Sequence, residues 1–479
     1  MSQPDKQPNQ SGYNFDPTIL REYDMRGQVG KNLSEDDAFA LGQAFGTYVK
    51  RHPKTEKGRR TKFCVGYDGR TTSPGLAEAL IKGLISTGAK VDHIGLGPTP
   101  MLYFAVKDHM ADAGVMITGS HNPPDYNGFK MTLQSGPVFG ETIQELGKIA
   151  AEGDFETGDD GLVNDIDIQD TYVERLMKDF DGGRPLKIAW DNGNGAAGEI
   201  LRRLTQKLPG EHILLYDDID GQFPNHHPDP TVDENLIDLK KTVLEQNCDL
   251  GIAFDGDGDR IGVVNELGDI LRCDILMTIY ARDILAETPG ASIIGDVKCS
   301  QVMFDEIKRL GGNAVMWKTG HSLVKAKMAE LKAPLAGELS GHIFFADKYY
   351  GFDDALYCAI RLINAACEAE NLSSLTKDLP VLHNTPEIRC EVEEDKKFGI
   401  VPQITERLKA DKNEDISIDD IDGIRVTTQD GWWLLRPSNT QNVLVARMEA
   451  SSAEGLERLK AMAGDELKKL GYNLEYPEQ

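Results

Sequence analysis

The chain has 479 residues and a formal net charge of −26 at neutral pH, with 40% hydrophobic and 27% charged residues. This length predicts three or four globular domains of roughly 100–200 residues each. The acidic excess argues against a nucleic acid or an anionic membrane surface as partner, because both need a basic footprint. A small phosphorylated ligand stays compatible, since a few Arg and Lys side chains can gather locally.

The N-terminus and the cysteines carry no signature of export. Residues 1–14 are polar and lack the apolar stretch of a signal peptide, and we expect residues 1–13 to be a disordered tail. There is no run of 18 apolar residues that would predict a membrane span. The seven cysteines are scattered and include no C-x-x-C pair, so neither a disulfide framework nor a zinc site is indicated. The expectation is a soluble, cytoplasmic protein.

Three stretches of the chain share one plan. Apolar runs end at Asp68, Asp191 and Asp296, and each is followed by a helical pattern and then by a second apolar run. Strand, turn, helix and strand at three places predict a repeated α/β unit. The last hundred residues differ, because mixed strand and helix signals predict a smaller α+β domain there. The predicted domain ranges are 14–165, 166–269, 270–380 and 381–479.

A stiff loop carries the first candidate for chemistry. It follows a short apolar run and reads Thr-Gly-Ser-His-Asn-Pro-Pro-Asp-Tyr-Asn-Gly-Phe-Lys over residues 118–130. Two adjacent prolines fix the backbone and stiffen the loop. The hydroxyl of Ser120, flanked by His121 and followed by the amine of Lys130, is a plausible nucleophile with proton carriers nearby. The G-x-S-x-G elbow of hydrolases is absent, and the loop alone fits a surface turn equally well.

The most specific single motif is Asp-Gly-Asp-Gly-Asp-Arg over residues 255–260, between two apolar runs that predict strands. The carboxylates of Asp255, Asp257 and Asp259 can converge on one hard cation, and without it they would repel one another. An EF-hand calcium loop is excluded, because Arg260 stands where that loop needs Gly and the flanks are strand-like. Three carboxylates leave coordination positions open, which suits Mg²⁺ holding a phosphoryl oxygen.

Three later loops place polar groups after predicted strands. Residues 318–322 read Lys-Thr-Gly-His-Ser, and residues 337–342 read Gly-Glu-Leu-Ser-Gly-His, a set that can grip the hydroxyls of a polyol. Residues 436–440 read Arg-Pro-Ser-Asn-Thr and offer a guanidinium for bidentate contact with a phosphate. Each of these loops alone also fits an ordinary turn.

Taken in order, the motifs resemble those of the α-D-phosphohexomutases, most closely the bacterial phosphomannomutase/phosphoglucomutase members. The resemblance rests on residues 118–130, 255–260, 337–342 and 436–440 together with Tyr-Asp-Met-Arg-Gly at 23–27, and it covers nearly the whole chain from Phe15 onward. It implies an α/β protein of four-domain, heart-shaped architecture. Three related mixed-sheet domains and a smaller C-terminal α+β domain would each supply one loop to a central cleft.

The resemblance also implies a role for each candidate residue. Ser120 would be held as phosphoserine and would ligate one Mg²⁺ together with Asp255, Asp257 and Asp259. The residues implied for phosphoryl transfer besides Ser120 are His121, Lys130 and Arg260. The residues implied for substrate binding are Tyr23, Arg26, Lys298, His321, Glu338, Ser340, His342, Arg436, Ser438, Asn439 and Thr440. Leu339 stands where many of these mutases carry Met.

The implied reaction moves a phosphate between C6 and C1 of mannose or glucose. A mannose or glucose 1,6-bisphosphate would be both intermediate and activator. The partners would be small hexose phosphates, with no obligate protein partner evident. Three alternatives stay open: a phosphoglucosamine mutase with a similar serine loop, a Mg-dependent sugar phosphatase with Asp255 as nucleophile and Asp257 as acid, and a binding protein that has lost the chemistry.

Overall fold

The computed structural model describes residues 12–52, 59–393, 396–411, 414–438 and 442–476. Over these ranges the chain forms four β-sheets in succession, and each sheet is built from one continuous stretch of sequence. Helices connect the strands, and the predicted α/β class is confirmed.

The first sheet has seven strands and four accompanying helices. Its strands are β1 (Met25–Gln28), β2 (Lys62–Tyr67), β3 (Lys90–Leu96), β4 (Ala113–Ile117), β5 (Tyr126–Leu133), β6 (Gly136–Pro137) and β7 (Leu162–Asp165). Its helices are α1 (Glu35–Arg51), α2 (Ser73–Ser86), α3 (Thr99–Asp108) and α4 (Glu141–Glu152). The spatial order is β1-β5-β4-β2-β3-β7, with β6 beside β5. Strand β4 is buried along its whole length, which fits its unbroken apolar run.

The second and third sheets are also mixed. The second contains β8 (Leu186–Asp191), β9 (Gly210–Leu215), β10 (Leu250–Phe254), β11 (Ile261–Asn265) and β12 (Ile270–Leu271). The third contains β13 (Ser292–Asp296), β14 (Asn313–Trp317), β15 (Leu335–Gly337) and β16 (Ile343–Phe345). The helices of this region are α5 (Gln169–Met177), α6 (Gly198–Thr205), α7 (Ile237–Gln246), α8 (Cys273–Glu287), α9 (Gln301–Arg309), α10 (His321–Leu331) and α11 (Ala355–Glu368).

These three sheets repeat one topology, as the sequence pattern predicted. The orders β3-β2-β4-β5, β9-β8-β10-β11 and β14-β13-β15-β16 are equivalent. In each, the first three strands along the chain are parallel and the fourth runs antiparallel beside the third. The predicted acidic residues Asp68, Asp191 and Asp296 lie at or directly after the end of the central strand of each repeat.

The fourth sheet is antiparallel throughout. Its strands are β17 (His383–Asn384), β18 (Ile388–Glu391), β19 (Ser417–Asp419), β20 (Ile424–Thr427), β21 (Gly431–Pro437) and β22 (Val443–Ala450), and its helices are α12 (Lys397–Ala410) and α13 (Ala453–Lys468). Helix α13 starts at a serine N-cap, where the hydroxyl of Ser452 accepts a hydrogen bond from the backbone N–H of Gly455.

The apolar core is shared unequally among the sheets. One cluster of buried side chains runs through the first three sheets and includes Leu102, Trp190 and Tyr280. The fourth sheet has a core of its own and meets the third through a small cluster around Val297 and Trp432. The fourth domain is therefore attached to the others by less apolar surface than the first three share among themselves.

Three local features differ from the sequence prediction. Tyr13, expected in the tail, is folded into the first domain: its N–H donates to Ala150 O at 2.8 Å and its hydroxyl donates to Asp37 at 2.9 Å. Residues 25–28, for which the sequence analysis predicted no strand, form β1, because that segment pairs with β5. The second sheet ends with β12, just past the boundary predicted at residue 269, because β12 hydrogen-bonds to β11.

Within the described residues, no helix has both the length and the apolar character needed to cross a membrane. All seven cysteines are free thiols, and six of them are buried.

Candidate active site

Three of the predicted loops occupy the same place in the three repeats. Each lies between the third parallel strand and the antiparallel fourth: Ser120 follows β4, Asp255 follows β10 and Glu338 follows β15. The structure brings these loops together at adjoining sheet edges. Ser120 Oγ lies 3.2 Å from Asp255 Oδ2, and the N–H of Ile261 donates to Gly341 O at 3.1 Å. Three domains thus contribute to one cluster.

Ser120 is held in an unusual backbone conformation. Its φ is +51°, in the left-handed region that non-glycine residues adopt infrequently, and its N–H donates to Thr118 Oγ1 at 2.8 Å. Its hydroxyl lies 3.2 Å from both Asp255 Oδ2 and His121 Nδ1, two groups that can accept its proton. Burial and the positive charge of Arg260 hold the pKa of His121 well below its usual range. The imidazole is therefore neutral at pH 7 and available as an acceptor.

Arg70, which the sequence analysis missed, holds this loop in place through hydrogen bonds. Its guanidinium pairs with Asp68 and donates to the carbonyl oxygens of four loop residues, Ser120, Asn122, Pro123 and Tyr126. The side chain is fully buried. A Cβ atom at Gly119 would lie 2.5 Å from the guanidinium carbon, so glycine is needed there for the close approach. A charged donor shared by so many carbonyls fixes where the serine hydroxyl points.

The three carboxylates of the Asp255 loop are buried together with Lys130. Lys130 Nζ donates to Asp257 Oδ2 at 2.7 Å and also to Asp259 Oδ2. The lysine lies on strand β5 and not in a loop as its motif suggested, because the chain returns from the serine turn directly into the antiparallel strand. Arg260 Nε lies 3.9 Å from Asp255 Oδ2. Two cations thus face three carboxylates.

The same carboxylates fit a divalent cation. One oxygen each from Asp255, Asp257 and Asp259 lies within 4.8 Å of the other two. The Oδ1 atoms of Asp257 and Asp259 are buried without a hydrogen-bond partner in the described structure, an arrangement costly for a carboxylate unless a cation balances it. Burial and its two acidic neighbours raise the pKa of Asp255 well above its usual range, a shift that a bound cation would reverse. Oxygen ligands of this kind suit Mg²⁺.

The third domain contributes a buried group of histidines and acids. His342 Nε2 accepts a hydrogen bond from Arg260 Nε at 3.0 Å, and its Nδ1 lies 3.1 Å from Asp353 Oδ2. His321 begins helix α10, and its ring centroid lies 5.3 Å from that of His342. Asp353, which the sequence analysis also missed, is completely buried and accepts from Lys325 Nζ at 2.9 Å.

The Glu338 loop is tied to the loop that carries His321. The backbone N–H of Gly320 donates to Glu338 Oε1, and burial raises the pKa of Glu338. The Tyr23 hydroxyl donates to Thr319 O at 3.0 Å, which links the first domain to the third. A Cβ atom at Gly320 would lie within 2.7 Å of the Tyr23 ring, so the close packing of Tyr23 against residue 320 needs glycine there. Ser340 is half-buried in the same loop.

Arg436 and Lys298 extend the cluster into the fourth domain. Arg436 Nε donates at 3.0 Å to Asp422 Oδ2, and the same oxygen accepts from the backbone N–H of Thr319 at 2.9 Å. Lys298 Nζ donates at 2.7 Å to Glu387, whose pKa its positive charge lowers to about 2. Both cations are therefore paired with a carboxylate of the fourth domain.

The remaining candidates have the following positions. Arg26 lies on β1 and pairs with Asp24. Ser438 is buried, and its N–H donates to Val443 O at 2.9 Å. Asn439 and Thr440 lie outside the described residues. Sequence signals for the missed residues are weak: Arg70 follows an Asp-Gly pair and Asp353 precedes a second Asp, and neither pattern indicates what the side chain contacts.

Known proteins resemble this chain over nearly its whole length. Family models match in succession: phosphoglucomutase/phosphomannomutase alpha/beta/alpha domains I, II and III over residues 17–157, 170–268 and 272–382, and the phosphoglucomutase/phosphomannomutase C-terminal domain over residues 387–465. A phosphomannomutase/phosphoglucomutase of Pseudomonas aeruginosa is 43% identical over 464 residues, covering 96% of this chain and 97% of that protein.

Two further relatives agree with that match. A phosphoglucomutase of Neisseria gonorrhoeae is 41% identical over 445 residues, covering 92% of this chain and 95% of that protein. The crystal structure of a phosphoglucomutase/phosphomannomutase family protein of Burkholderia thailandensis superposes with a TM-score of 0.89 at 42% identity, covering 96% of this chain and 100% of that one.

Proposed function

The chain belongs to the phosphoglucomutase/phosphomannomutase family of α-D-phosphohexomutases, and from that premise we propose how its site works. The enzyme interconverts hexose 6-phosphates and hexose 1-phosphates of mannose, glucose or both, as an intramolecular phosphotransferase. We take each sheet with its helices as one domain, with the predicted ranges except that the second domain ends at Leu271 and the third begins at Arg272.

Ser120 is proposed as the phosphate carrier. The observation that carries this proposal is the contact of its hydroxyl with Asp255, at the meeting point of the first and second domains. The hydroxyl is buried, its loop is fixed by Arg70, and two proton acceptors lie within 3.2 Å. In the proposed cycle, phosphoserine donates its phosphoryl group to the free end of a hexose phosphate. The resulting 1,6-bisphosphate turns over in the cleft, and its other phosphate returns to Ser120.

Asp255, Asp257 and Asp259 would hold Mg²⁺, with Ser120 as a further ligand, and the ion would stabilise charge on the transferring phosphoryl group. The protein's own cations complete the charge balance. Lys130 neutralises the Oδ2 atoms of Asp257 and Asp259. Arg260, whose Nε lies 3.9 Å from Asp255, would face a phosphate of about −1.5 to −2 charge on the serine.

The third and fourth domains are proposed to bind the sugar and its own phosphate. Glu338 and Ser340 would read the 3- and 4-hydroxyls, with Tyr23, Arg26 and His321 lining the cleft. Arg436 and Lys298 would bind the phosphate, with Ser438, Asn439 and Thr440 around it. Because the carboxylates of Asp422 and Glu387 already pair with these cations, an incoming phosphate would have to displace these carboxylates or share the cations with them.

The serine assignment is tested by mass. Intact-mass measurement of the purified wild type should show a stable extra phosphate, and Ser120→Ala should lack it and lose most mutase activity while its circular dichroism stays unchanged. Ser300→Ala, at another buried serine, the N-cap of helix α9, is the matched control. Normal turnover by the Ser120→Ala protein, with no phosphate on a neighbouring group, would end the phosphoserine proposal.

Sugar choice is tested by comparing four substrates on one preparation. If Glu338 and Ser340 read the 3- and 4-hydroxyls, glucose 1-phosphate and mannose 1-phosphate, which differ at C2, should have kcat/KM values within about two decades of each other. Galactose 1-phosphate, inverted at C4, should be far worse, because it leaves part of that pair unsatisfied. N-acetylglucosamine phosphate should be poor, since its 2-substituent adds bulk. Efficient turnover of galactose 1-phosphate would overturn the assignment of Glu338, and a preference for the 2-amino sugar would favour a phosphoglucosamine mutase.

A further inference from the structure

Residues 217–230, which follow strand β9 in the second domain and are called loop 217–230 below, lie against the turn of the first domain that carries Arg70. A Cβ atom at Gly221 would collide with the Cα atom of Arg70 and would lie 2.6 Å from the carbonyl oxygen of Gly69. The guanidinium carbon of Arg70 lies over the Phe223 ring, 5.1 Å from the ring centroid. The second domain therefore packs directly on the residue that holds the serine loop in place.

Loop 217–230 is kept in one shape by its own domain. Asn194 Nδ2 donates to Asp218 O at 2.9 Å, and the backbone oxygen of Asn194 accepts from the N–H of Asp220 at 3.0 Å. Phe223 has a φ of +50°, in the left-handed region that bulky residues rarely adopt, so the surrounding contacts and not local preference set the backbone here. The Phe223 ring is thus presented to the first domain by a loop of defined conformation.

The same loop also contacts the metal-binding loop. Pro228 O accepts from the N–H of Gly256 at 3.2 Å, and Gly256 directly follows Asp255. A Cβ atom at Gly256 would lie 2.5 Å from Ser120 O, so the backbones of the metal-binding loop and the serine loop touch as well. One part of loop 217–230 therefore contacts the arginine that fixes the serine, and another part contacts the backbone beside the aspartate.

The contact between Phe223 and Arg70 is one of packing, because the hydrogen bonds of the guanidinium are all made elsewhere. Its five N–H hydrogens have five acceptors in the first domain, namely Asp68 and four carbonyl oxygens of the serine loop. An aromatic ring attracts a guanidinium and stacks against it. The ring also excludes water that would compete for those acceptors, and Arg70 is only 1% exposed.

We propose that Phe223 is a positioning residue that keeps Arg70 in place and thereby holds the Ser120 hydroxyl beside Asp255. The inference rests on the mutase function proposed above. In it, the second domain supplies an aromatic side chain that sets the first domain's serine, in addition to its metal-binding carboxylates. The effect falls on phosphoryl transfer and not on substrate binding, because the sugar and its phosphate are assigned to the third and fourth domains.

Two replacements of Phe223 separate the role of the ring from the role of an apolar side chain. Phe223→Tyr keeps the ring, whereas Phe223→Leu keeps an apolar side chain without it. Phe223→Leu should lower kcat by about 10- to 100-fold through a displaced serine, with KM changed by less than about threefold, and Phe223→Tyr should stay within about threefold of wild type in both. A leucine variant with wild-type kcat, or a tyrosine variant as slow as the leucine variant, would overturn the proposal.

A double variant tests whether Phe223 acts through Arg70. Two residues that act through one contact have effects that do not add. Phe223→Leu combined with Arg70→Lys should therefore be about as slow as Arg70→Lys alone, and a kcat lowered by the product of the two single effects would contradict the inference. The matched control is Phe398→Leu, at an exposed ring of helix α12 that also faces a cation, Lys397 Nζ, at 5.0 Å. That control should leave kcat and KM unchanged.

Hydrogen exchange followed by mass spectrometry gives a readout that does not depend on activity. The N–H groups of Ser120, Asn122 and Tyr126 are hydrogen-bonded within the serine loop. Phe223→Leu should speed exchange in the peptide that covers them, and Phe398→Leu should not. Equal exchange in the wild type and Phe223→Leu would refute the positioning role. The failure of the proposed function is a separate result: the wild type would then have no mutase activity, while exchange would still show whether Phe223 holds the serine loop.

Discussion

Replacing Arg70 with lysine should slow phosphoryl transfer at Ser120 and destabilise the first domain. The guanidinium makes contacts with the Asp68 carboxylate and with four backbone carbonyls of the serine loop, whereas an ammonium group has three donor hydrogens on one atom. At least two of these contacts are lost. Lysine keeps the positive charge beside Asp68. The variant therefore removes the planar arrangement of the guanidinium donors without removing the charge.

The magnitude follows from the lost contacts. A hydrogen bond from a charged donor contributes about 1.5–3 kcal/mol, so two of them amount to about 3 kcal/mol at the lower end. We use the lower end because freed carbonyls at the loop edge can bind water. A serine hydroxyl displaced by about 1 Å costs on the order of 100-fold in rate. We therefore expect kcat to fall by about 100-fold and the free energy of unfolding by about 3 kcal/mol.

Urea denaturation and steady-state kinetics measure both quantities. The matched control is Arg51→Lys, the same replacement in the same domain, where the partners are the surface carboxylates of Asp154 and Glu156. An exposed pair of this kind contributes less than about 1 kcal/mol, and the control should keep full activity. If Arg70→Lys lost no more stability than the control and kept its kcat, the guanidinium would not be what fixes the serine.

Three other predictions concern the metal, the phosphate clamp and pH. Asp257→Asn should weaken Mg²⁺ binding in calorimetric titration, and excess chelator should abolish wild-type activity until Mg²⁺ is restored; full activity in chelator would contradict the metal assignment. Arg436→Ala should raise KM strongly and release more 1,6-bisphosphate into solution, and an unchanged KM without released bisphosphate would place the clamp elsewhere. Burial raises the pKa of Asp354 from 3.8 to about 6, so the folded protein binds this proton more tightly than the unfolded chain does. The contribution of Asp354 to the free energy of unfolding should therefore fall by about 3 kcal/mol as pH rises from about 4 to 6. Asp354→Asn should flatten the plot of melting temperature against pH over that range. An unchanged plot would contradict the role of this buried carboxyl group.

The sequence predicted the features that depend on local pattern. Alternating strands and helices indicated the repeat, and the Asp255 loop was recognisable because three carboxylates at alternate positions need a cation. It could not predict partners that are defined only by the tertiary fold. Arg70 binds backbone carbonyls, which every residue has, so no side-chain pattern marks its target. Asp353 and His342 meet across a turn, and His342 accepts a hydrogen bond from Arg260 of another domain.

The equivalence of the three loops also emerged only from topology. Ser120, Asp255 and Glu338 have different chemistry and little shared sequence around them, yet each follows the third strand of a repeat. Strand β1 was missed for a related reason. Its four residues, one of them glycine, are too short a pattern to predict a strand, and the strand forms because β5 offers an edge to pair with.

The distribution of the site over separate sheets has a consequence for biosynthesis. Ser120 and the carboxylate it contacts are 135 residues apart, and domains of a growing chain fold in order from the N-terminus. A nascent chain that has completed only its first sheet presents the serine and Lys130 without the carboxylates that partner them. On the proposed mechanism, Ser120 would not be phosphorylated by the enzyme's own chemistry until the second sheet has docked. On the same proposal, a truncated product that ends before Arg436 would lack the residue assigned to the substrate's phosphate and would be inactive.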